Sequence, residues 1–373
     1  SYPTGGVEYS PLPPEEKARW ARTGEPDLVS VNHDLYRGMK PGGHWVMEQQ
    51  AGQINWAPSN PAPANGAVDL WTAQTWAHGG ACTSYFRWRA STIGQELTHS
   101  GLLRHDETLD RGAIEIATSA LDRESMVDER RHVVLLHDYE SLWVYDEQPQ
   151  SAGASYWSQF MLFYSALRGL GIDVDIRHPD DDLAGYRLIV APALQLIDAD
   201  RARRLTRWSK KARMVFGPRT GFRDRSGNVH STGQPGPLEP LLGCRLRNTD
   251  AMPPQVTTLA AGHEVQIWAE SYRVTRGDVV VAYDDGPFRG TAAVIRSGSC
   301  LTIGAWSTTL VRDLLATELA ALGIPTVDLP KGVRRVSTRT REIWLNFNDT
   351  PTRTPGGLIV DPVSWCIERK RKD

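Results

Sequence analysis

At 373 residues the chain is long enough for two or three domains, each with a core of its own. Lys+Arg 42 against Asp+Glu 44 leaves a net charge of -2, and the longest like-charged run is the short Arg369-Lys370-Arg371-Lys372 tail, which excludes the basic footprint of a nucleic-acid binder. No apolar stretch reaches membrane-spanning length, and no signal peptide is visible at the amino end.

The four cysteines (Cys82, Cys244, Cys300, Cys366) are far apart and form no CxxC spacing. They fit neither a zinc site nor a disulfide framework, so reduced thiols in a cytoplasmic protein are expected, with no metal and no cofactor. Of the thirteen tryptophans, six precede residue 90, a modest pointer to sugar rings beside the commoner role of packing. The chain opens on Ser1-Tyr2-Pro3 without an initiator Met, and is expected to be part of something longer.

Residues 3–24, rich in Pro, Gly and charge, read as a long loop. From Pro26, the residues Leu28, Val31, Leu35 and Met39 recur at helical spacing, and Pro41-Gly42-Gly43 ends that helix. The strand 44–48 follows, then a loop through Pro63 and a helix from about Asn65 to His78, stopped by Gly79-Gly80. Residues 82–86 form a second strand that delivers Arg87-Trp88-Arg89 into another long loop, and a third helix spans about 111–121. Long loops after parallel strands are the layout of a (β/α)8 barrel, of which only two strands are present, so residues 1–126 are expected to be the carboxyl-terminal part of an incomplete TIM barrel.

The pattern changes near residue 127. A strand at 132–137, a helix at 155–168, strands at 173–176 and 187–190, a helix at 199–210 and a strand at 213–216 predict a doubly wound α/β domain with a parallel sheet over 127–326. Apolar runs at 265–268, 279–283 and 301–303 add strands, and a helix at 308–322 closes the domain. No GxGxxG opens its first helix, so dinucleotide binding is not expected. Short strands at 343–347 and 358–360 predict a small all-β domain over 327–373.

The chemistry concentrates in the first segment. His44-Trp45-Val46-Met47-Glu48-Gln49-Gln50 is an apolar strand that delivers a carboxylate at its carboxyl end, where α/β folds bind ligands. Trp56 returns an aromatic ring to the same rim, and Glu96 and His99 put a carboxylate and an imidazole three residues apart. A hydroxyl-rich ligand needs such acceptors, an aromatic platform and a carboxylate able to attack or to stabilise positive charge. The bland alternatives are a strand turning polar as it surfaces, rim packing for Trp56, and a solvated Glu96/His99 pair within a helical turn.

The run His44-Trp-Val-Met-Glu-Gln-Gln-Ala-Gly-Gln-Ile-Asn-Trp-Ala-Pro-Ser-Asn-Pro-Ala-Pro resembles the glycoside hydrolase family forty-two β-galactosidases. So do Leu70-Trp-Thr, Ala77-His-Gly, Tyr85-Phe-Arg-Trp-Arg, His99-Ser-Gly-Leu-Leu and Val215-Phe-Gly-Pro-Arg-Thr-Gly. The resemblance extends over the whole chain. It implies a retaining mechanism on terminal β-D-galactosides with Glu48 as nucleophile at the end of barrel strand seven, and Tyr2 beside it. It also implies that Trp56, Glu96 and His99 hold the galactose ring and its hydroxyls. The middle domain is then similar to a class I glutamine amidotransferase fold without its catalytic machinery, and joins subunits into a homotrimer; the tail is the family's small β domain.

The family's general acid/base stands in an Asn-Glu pair, and this sequence has no Asn-Glu dipeptide. His44, Ala51 and Ala73 also replace an aromatic or Pro-Phe, a Pro and a Trp of the usual pattern. The expectation is a β-galactosidase portion, inactive alone, that needs an amino-terminal barrel half in cis or in trans. Two rivals remain: a truncated, non-catalytic assembly or sugar-binding protein, and an amidotransferase-like enzyme of the middle domain. The last would need a cysteine on a tight strand-to-helix elbow, and Cys244 sits instead in Leu242-Gly-Cys-Arg-Leu.

Overall fold

A computed structural model of the chain describes residues 1–40, 42–121, 131–338 and 340–370. By contacts the chain forms two units: residues 1–130 with 171–173 and 328–373, and residues 131–170 with 174–327. The sequence boundary at 126/127 and the final basic residues 371–372 lie outside the described residues.

The first departure from the sequence reading is at the start. Residues 3–24, expected as loop, hold two helices, α1 (Pro3–Tyr9) and α2 (Pro14–Trp20). Each begins with proline at its first position, where the missing N–H costs no hydrogen bond, so the Pro-rich composition marks helix starts rather than a loop. Helix α3 (Pro26–Met39) starts the same way, and the Glu25 carboxylate accepts the N–H groups of Asp27 and Leu28, each at 2.8 Å. Strand β1 (His44–Gln50), helix α4 (Ala67–Ala77), strand β2 (Gly80–Phe86) and helix α5 (Arg111–Ala117) complete this stretch. β1 and β2 pair in parallel. On the other edge of β1, Ser1 donates its nitrogen to Glu48 O and accepts from Gln50 N at 2.9 Å, a third parallel neighbour.

The second unit begins with β3 (Val133–Leu136), α6 (Tyr139–Glu147), which the sequence reading passed over, α7 (Tyr156–Gly169), β4 (Val174–Arg177) and β5 (Leu188–Ala191). Helix α8 (Ala199–Trp208), strand β6 (Arg213–Phe216) and the short α9 (Glu239–Leu242) follow. Strands β7 (Cys244–Ala251), β8 (Thr258–Ala260), β9 (His263–Val265), β10 (Trp268–Val274), β11 (Asp278–Ala282), β12 (Ala292–Ser297) and β13 (Cys300–Ile303) precede α10 (Thr308–Ala321). Ser155, Asp198 and Ser307 cap α7, α8 and α10, each accepting the N–H three residues on.

The large sheet runs β4-β3-β5-β6-β13-β12-β10-β7, with β11 on β12. Strands β4 to β13 in that path are parallel, but β12, β10 and β7 are antiparallel. The expected parallel sheet is therefore mixed. The physical reason is connection length: β12 and β13 are joined by the tight turn at Gly298, which can only reverse the chain, whereas a parallel pair needs a crossover.

The motif at Val215–Gly221 acts inside this unit as a clamp. Buried Arg219 stacks its guanidinium 4.1 Å from the Tyr145 ring and 4.8 Å from that of Trp268, and donates to Gln148 O at 2.8 Å and Pro149 O at 3.2 Å. Its backbone N–H donates to Glu270, a fully buried carboxylate that also receives Trp268 Nε1 at 3.1 Å, Gln234 Nε2 at 3.3 Å and the Tyr272 hydroxyl. Burial pushes the Glu270 carboxyl above its ordinary value, and these donors oppose the shift.

The tail returns to the first unit as β14 (Val333–Ser337), β15 (Arg341–Asn346), β16 (Thr352–Arg353), β17 (Ile359–Val360) and β18 (Ser364–Arg369). Antiparallel β14-β15-β18 supplies Val336, Ile343 and Leu345 to a core whose other half comes from α4, Val7 and Trp20. Buried Arg334 grips Asp27 at the start of α3 with two hydrogen bonds, 2.7 and 2.6 Å.

Three histidines lie together where α3, β1 and α4 meet. His33 Nδ1 is 2.9 Å from His44 Nε2, His33 Nε2 is 3.3 Å from the Thr75 hydroxyl, and His78 Nδ1 is 2.7 Å from Asp34, which also binds Arg37. Burial, then the charge of His78, lowers the His44 imidazole to about 4, and burial drives His33 well below its usual value. Both rings are neutral in the fold but take up protons on unfolding once the pH drops below about 6.5. Stability is thus held above that pH and lost as pH falls toward about 4. Chemical denaturation of the chain at pH 7 and at pH 5 should show the first unit weakening at the lower pH, and His44→Phe should shrink that difference. An unchanged pH dependence in the variant would refute the assignment to this cluster.

Candidate active site

The open face at the carboxyl end of β1 is made by a break in strand register. Val46 pairs with Thr83 and Gln49 with Tyr85, so three steps on β1 match two on β2. Strict alternation would put Glu48 on the buried face of Val46. The extra residue leaves Met47 and Glu48 both exposed and turns Gln49 inward beside Gln50, where both are 0% exposed.

Glu48 then meets Tyr2, whose hydroxyl donates to Oε2 at 2.8 Å. Burial first, and the Glu48 carboxylate second, push the Tyr2 phenol above its ordinary value, so it stays a donor. The Tyr2 position is set by Gln50: its amide nitrogen donates to Thr4 Oγ1 at 2.8 Å and to Gly52 O at 2.7 Å, and its oxygen accepts from Thr4 N at 3.3 Å.

Trp56, 44% exposed, stands edge-on to Tyr2 with ring centroids 5.3 Å apart, and Tyr9 stacks on its far side at 6.1 Å. A Cβ on Gly5 would come within 2.3 Å of the Trp56 ring, so only glycine in α1 lets the indole lie down there. His99 is buried, edge-on to Tyr2 at 6.3 Å and to Phe86 at 5.2 Å. Its Nδ1 is 3.0 Å from the Ser100 carbonyl, which can only accept, so the proton is assigned to Nδ1. Nε2 is then a buried acceptor with no protein partner among the described residues.

The five residues singled out by sequence do not behave alike. Tyr2, Glu48, Trp56 and His99 form one connected group. Glu96 is near enough to act electrostatically on Tyr2 but bonds Arg87 at 3.0 Å, not His99. The Glu96–His99 segment is a turn, with His99 N donating to Glu96 O at 3.2 Å. Tyr9, Phe86 and Arg87 were not foreseen as members; Arg87, directly after a strand, carried the only signal. Among the described residues no group of three or more His, Cys, Asp or Glu is arranged to hold a metal ion.

The second unit offers the other place where doubly wound folds take ligands, the carboxyl ends of β3 and β5, where the strand order reverses. That crevice is filled. Buried Arg201 binds Asp138 at 3.0 Å and Asp180 at 2.8 Å, and Ser141 donates to Asp138 at 2.7 Å while accepting from Leu196 N at 3.1 Å. No cysteine stands there: Cys244 opens β7 and Cys300 opens β13. Burial pushes the Cys244 thiol up to about 12, opposite to what a nucleophile requires.

Residues 2–125 match the family model described as Beta-galactosidase, and residues 131–324 the one described as Beta-galactosidase trimerisation domain. The β-galactosidase of Thermus thermophilus is 39% identical over 364 residues, covering 94% of this chain and 54% of its own length. That of Haloferax lucentense is 39% identical over 367 residues, with the same coverage of each. The solved polyextremophilic β-galactosidase of the Antarctic haloarchaeon Halorubrum lacusprofundi superposes with a TM-score of 0.94 at 34% identity, over 99% of this chain and 59% of that one. The chain therefore spans about half the length of the curated relatives it matches. With two consecutive family models along nearly all of its length, the chain belongs to the glycoside hydrolase family forty-two β-galactosidases.

Proposed function

We propose that the chain supplies the nucleophile side of a retaining β-galactosidase that cleaves terminal β-D-galactosides. The observation that carries this reading is the Glu48 carboxylate, exposed at a strand end, held by the Tyr2 hydroxyl and walled by Trp56 and His99. Glu48 attacks the anomeric carbon to form a glycosyl-enzyme that water then hydrolyses. The Tyr2 phenol fixes the attacking carboxylate, the indole of Trp56 packs on the apolar face of the sugar, and His99 Nε2 and Glu96 accept its hydroxyls.

Such a reaction needs a second carboxyl about 5 Å from the first, as acid and then base. The family's Asn-Glu pair does not occur in this sequence. General acid–base assistance is worth about 10²–10⁴-fold, so the chain by itself is proposed to be inactive, with turnover requiring an amino-terminal barrel half in cis or in trans. In this reading β1 and β2 are strands seven and eight of a (β/α)8 barrel, the middle unit is an amidotransferase-like trimerisation module, and the protein is cytoplasmic. The missing Asn-Glu pair also favours a second reading, a sugar-binding or assembly protein without turnover.

Complementing the chain with the amino-terminal half of a family member, then assaying an activated aryl galactoside, tests the first reading. Glu48→Gln should cut the rate by ~10³-fold or more. Azide should rescue Glu48→Ala or Glu48→Gly by occupying the vacated space and attacking the anomeric carbon. A Glu48→Gln enzyme that keeps most of its rate would reject Glu48 as nucleophile, and galactose binding without any turnover would favour the second reading. Tyr2→Phe should lower kcat by about 10–100-fold, the scale of a hydrogen bond to a charged group. A change confined to KM would instead make Tyr2 a substrate contact.

Residues 127–326 are proposed to assemble as a trimer. Expressed alone, they should sediment as a trimer; a clean monomer at micromolar concentration would count against it.

A further inference from the structure

The second unit contains a cleft of about 1070 Å³ that has no part in the proposed chemistry. One wall is the exposed face of α8, where Arg203 and Arg207 stand a turn apart, continued by Lys210. The facing wall comes from the starts of β11 and β13 and the end of β12, and brings Arg276 and Arg296; Asp278 is the single acid in the lining. Five cations against one carboxylate are gathered in a chain whose net charge is -2. Composition does not account for that concentration.

Their own neighbours neutralise them poorly. Arg203 pairs with Asp200, and Arg296 pairs with buried Glu318, a carboxylate already shared with Arg213 at 2.8 Å. Arg207, Lys210 and Arg276 have no ion partner among the described residues. Like charges on the walls of a concavity repel one another and focus the field within it, an arrangement relieved by a bound anion. The lining also carries apolar side chains at Ala202, Pro240 and Leu241.

We propose that this cleft binds a small organic phosphate ester, its phosphates between the α8 cations and Arg276, its organic body on the apolar lining. Guanidinium forks and an ammonium match phosphate oxygens. A bare inorganic anion or an acidic peptide would leave that lining unused.

Calorimetric titration of the full 373-residue chain at low salt tests this with three probes: a nucleoside diphosphate, inorganic tripolyphosphate and a hexaglutamate peptide. The nucleoside diphosphate should bind saturably at one site per chain, and more weakly as salt rises. Arg207→Gln and Arg276→Gln, both exposed and checked by thermal melting, should each weaken it by about tenfold. Arg247→Gln, a β7 cation outside the cleft, should leave it unchanged. Non-saturable heats, or equal losses in Arg247→Gln, would overturn the site. Tripolyphosphate binding as tightly as the ester would overturn the role of the apolar lining, and tighter hexaglutamate binding would overturn the phosphate assignment.

Discussion

One extra residue in β1 is the constraint from which the candidate site follows. A β-strand alternates its faces strictly, and a shift of one residue sends everything after it to the other side. With Val46 packed inward, an undisturbed strand would bury Glu48 and leave Gln49 out. The break between Val46 and Gln49 inverts that choice. The carboxylate reaches the open face and Gln49 turns inward. Gln50, which lies inward as alternation from Val46 would also have it, bonds Thr4 and Gly52 next to Tyr2.

The same unit depends on a helix with no polar face. Nine residues of α4, from Ala67 to Ala77, are buried, including Trp71, Thr72, Gln74 and Thr75. A helix buried all round must be covered on every side. α3 and α5 cover two sides, the parallel strand β2 another, and the β14-β15-β18 sheet the rest, with Val7 and Trp20 in the same core. Its buried donors reach those neighbours: Trp71 Nε1 donates to Thr23 O at 2.6 Å, and Gln74 to Pro26 O and Ser30 Oγ, each at 2.8 Å. The bidentate Asp27–Arg334 pair adds a charge constraint, because losing either partner strands a buried charge at a cost of about 3–5 kcal/mol. This is why a tail far away in sequence belongs with the first segment.

In the second unit, paired buried charge closes one end of the sheet, while solvent-facing cations gather at the other. Arg201, Asp138 and Asp180 close the crevice where the topology would admit a ligand. Glu270 and Arg219 tie the loop after α6 to β10 through stacking and hydrogen bonds. Arg207, Lys210 and Arg276 of the cleft beside α8 have no ion partner among the described residues, so the two ends of one sheet differ in what they can accept.

Much of this was legible in the residues themselves. Periodicity and caps located α3, α4, α7, α8 and α10, and the apolar runs located β1 to β6, because local propensity and the tertiary core agree at those places. The run from His44 to Pro63 identified the family and pointed to Glu48 and Trp56. Composition misled at residues 3–24, where proline starts helices; the strands from 132 to 216 are parallel as expected, while the direction of the added strands β7, β10 and β12 was set by turns that hydrophobicity does not record. What only the tertiary structure decided is which way Glu48 faces, that Arg87 rather than His99 partners Glu96, and that Tyr9 and Phe86 wall the site. Each of these depends on register or on contacts between residues far apart in the chain, and one-dimensional patterning carries no record of a single inserted step in a strand.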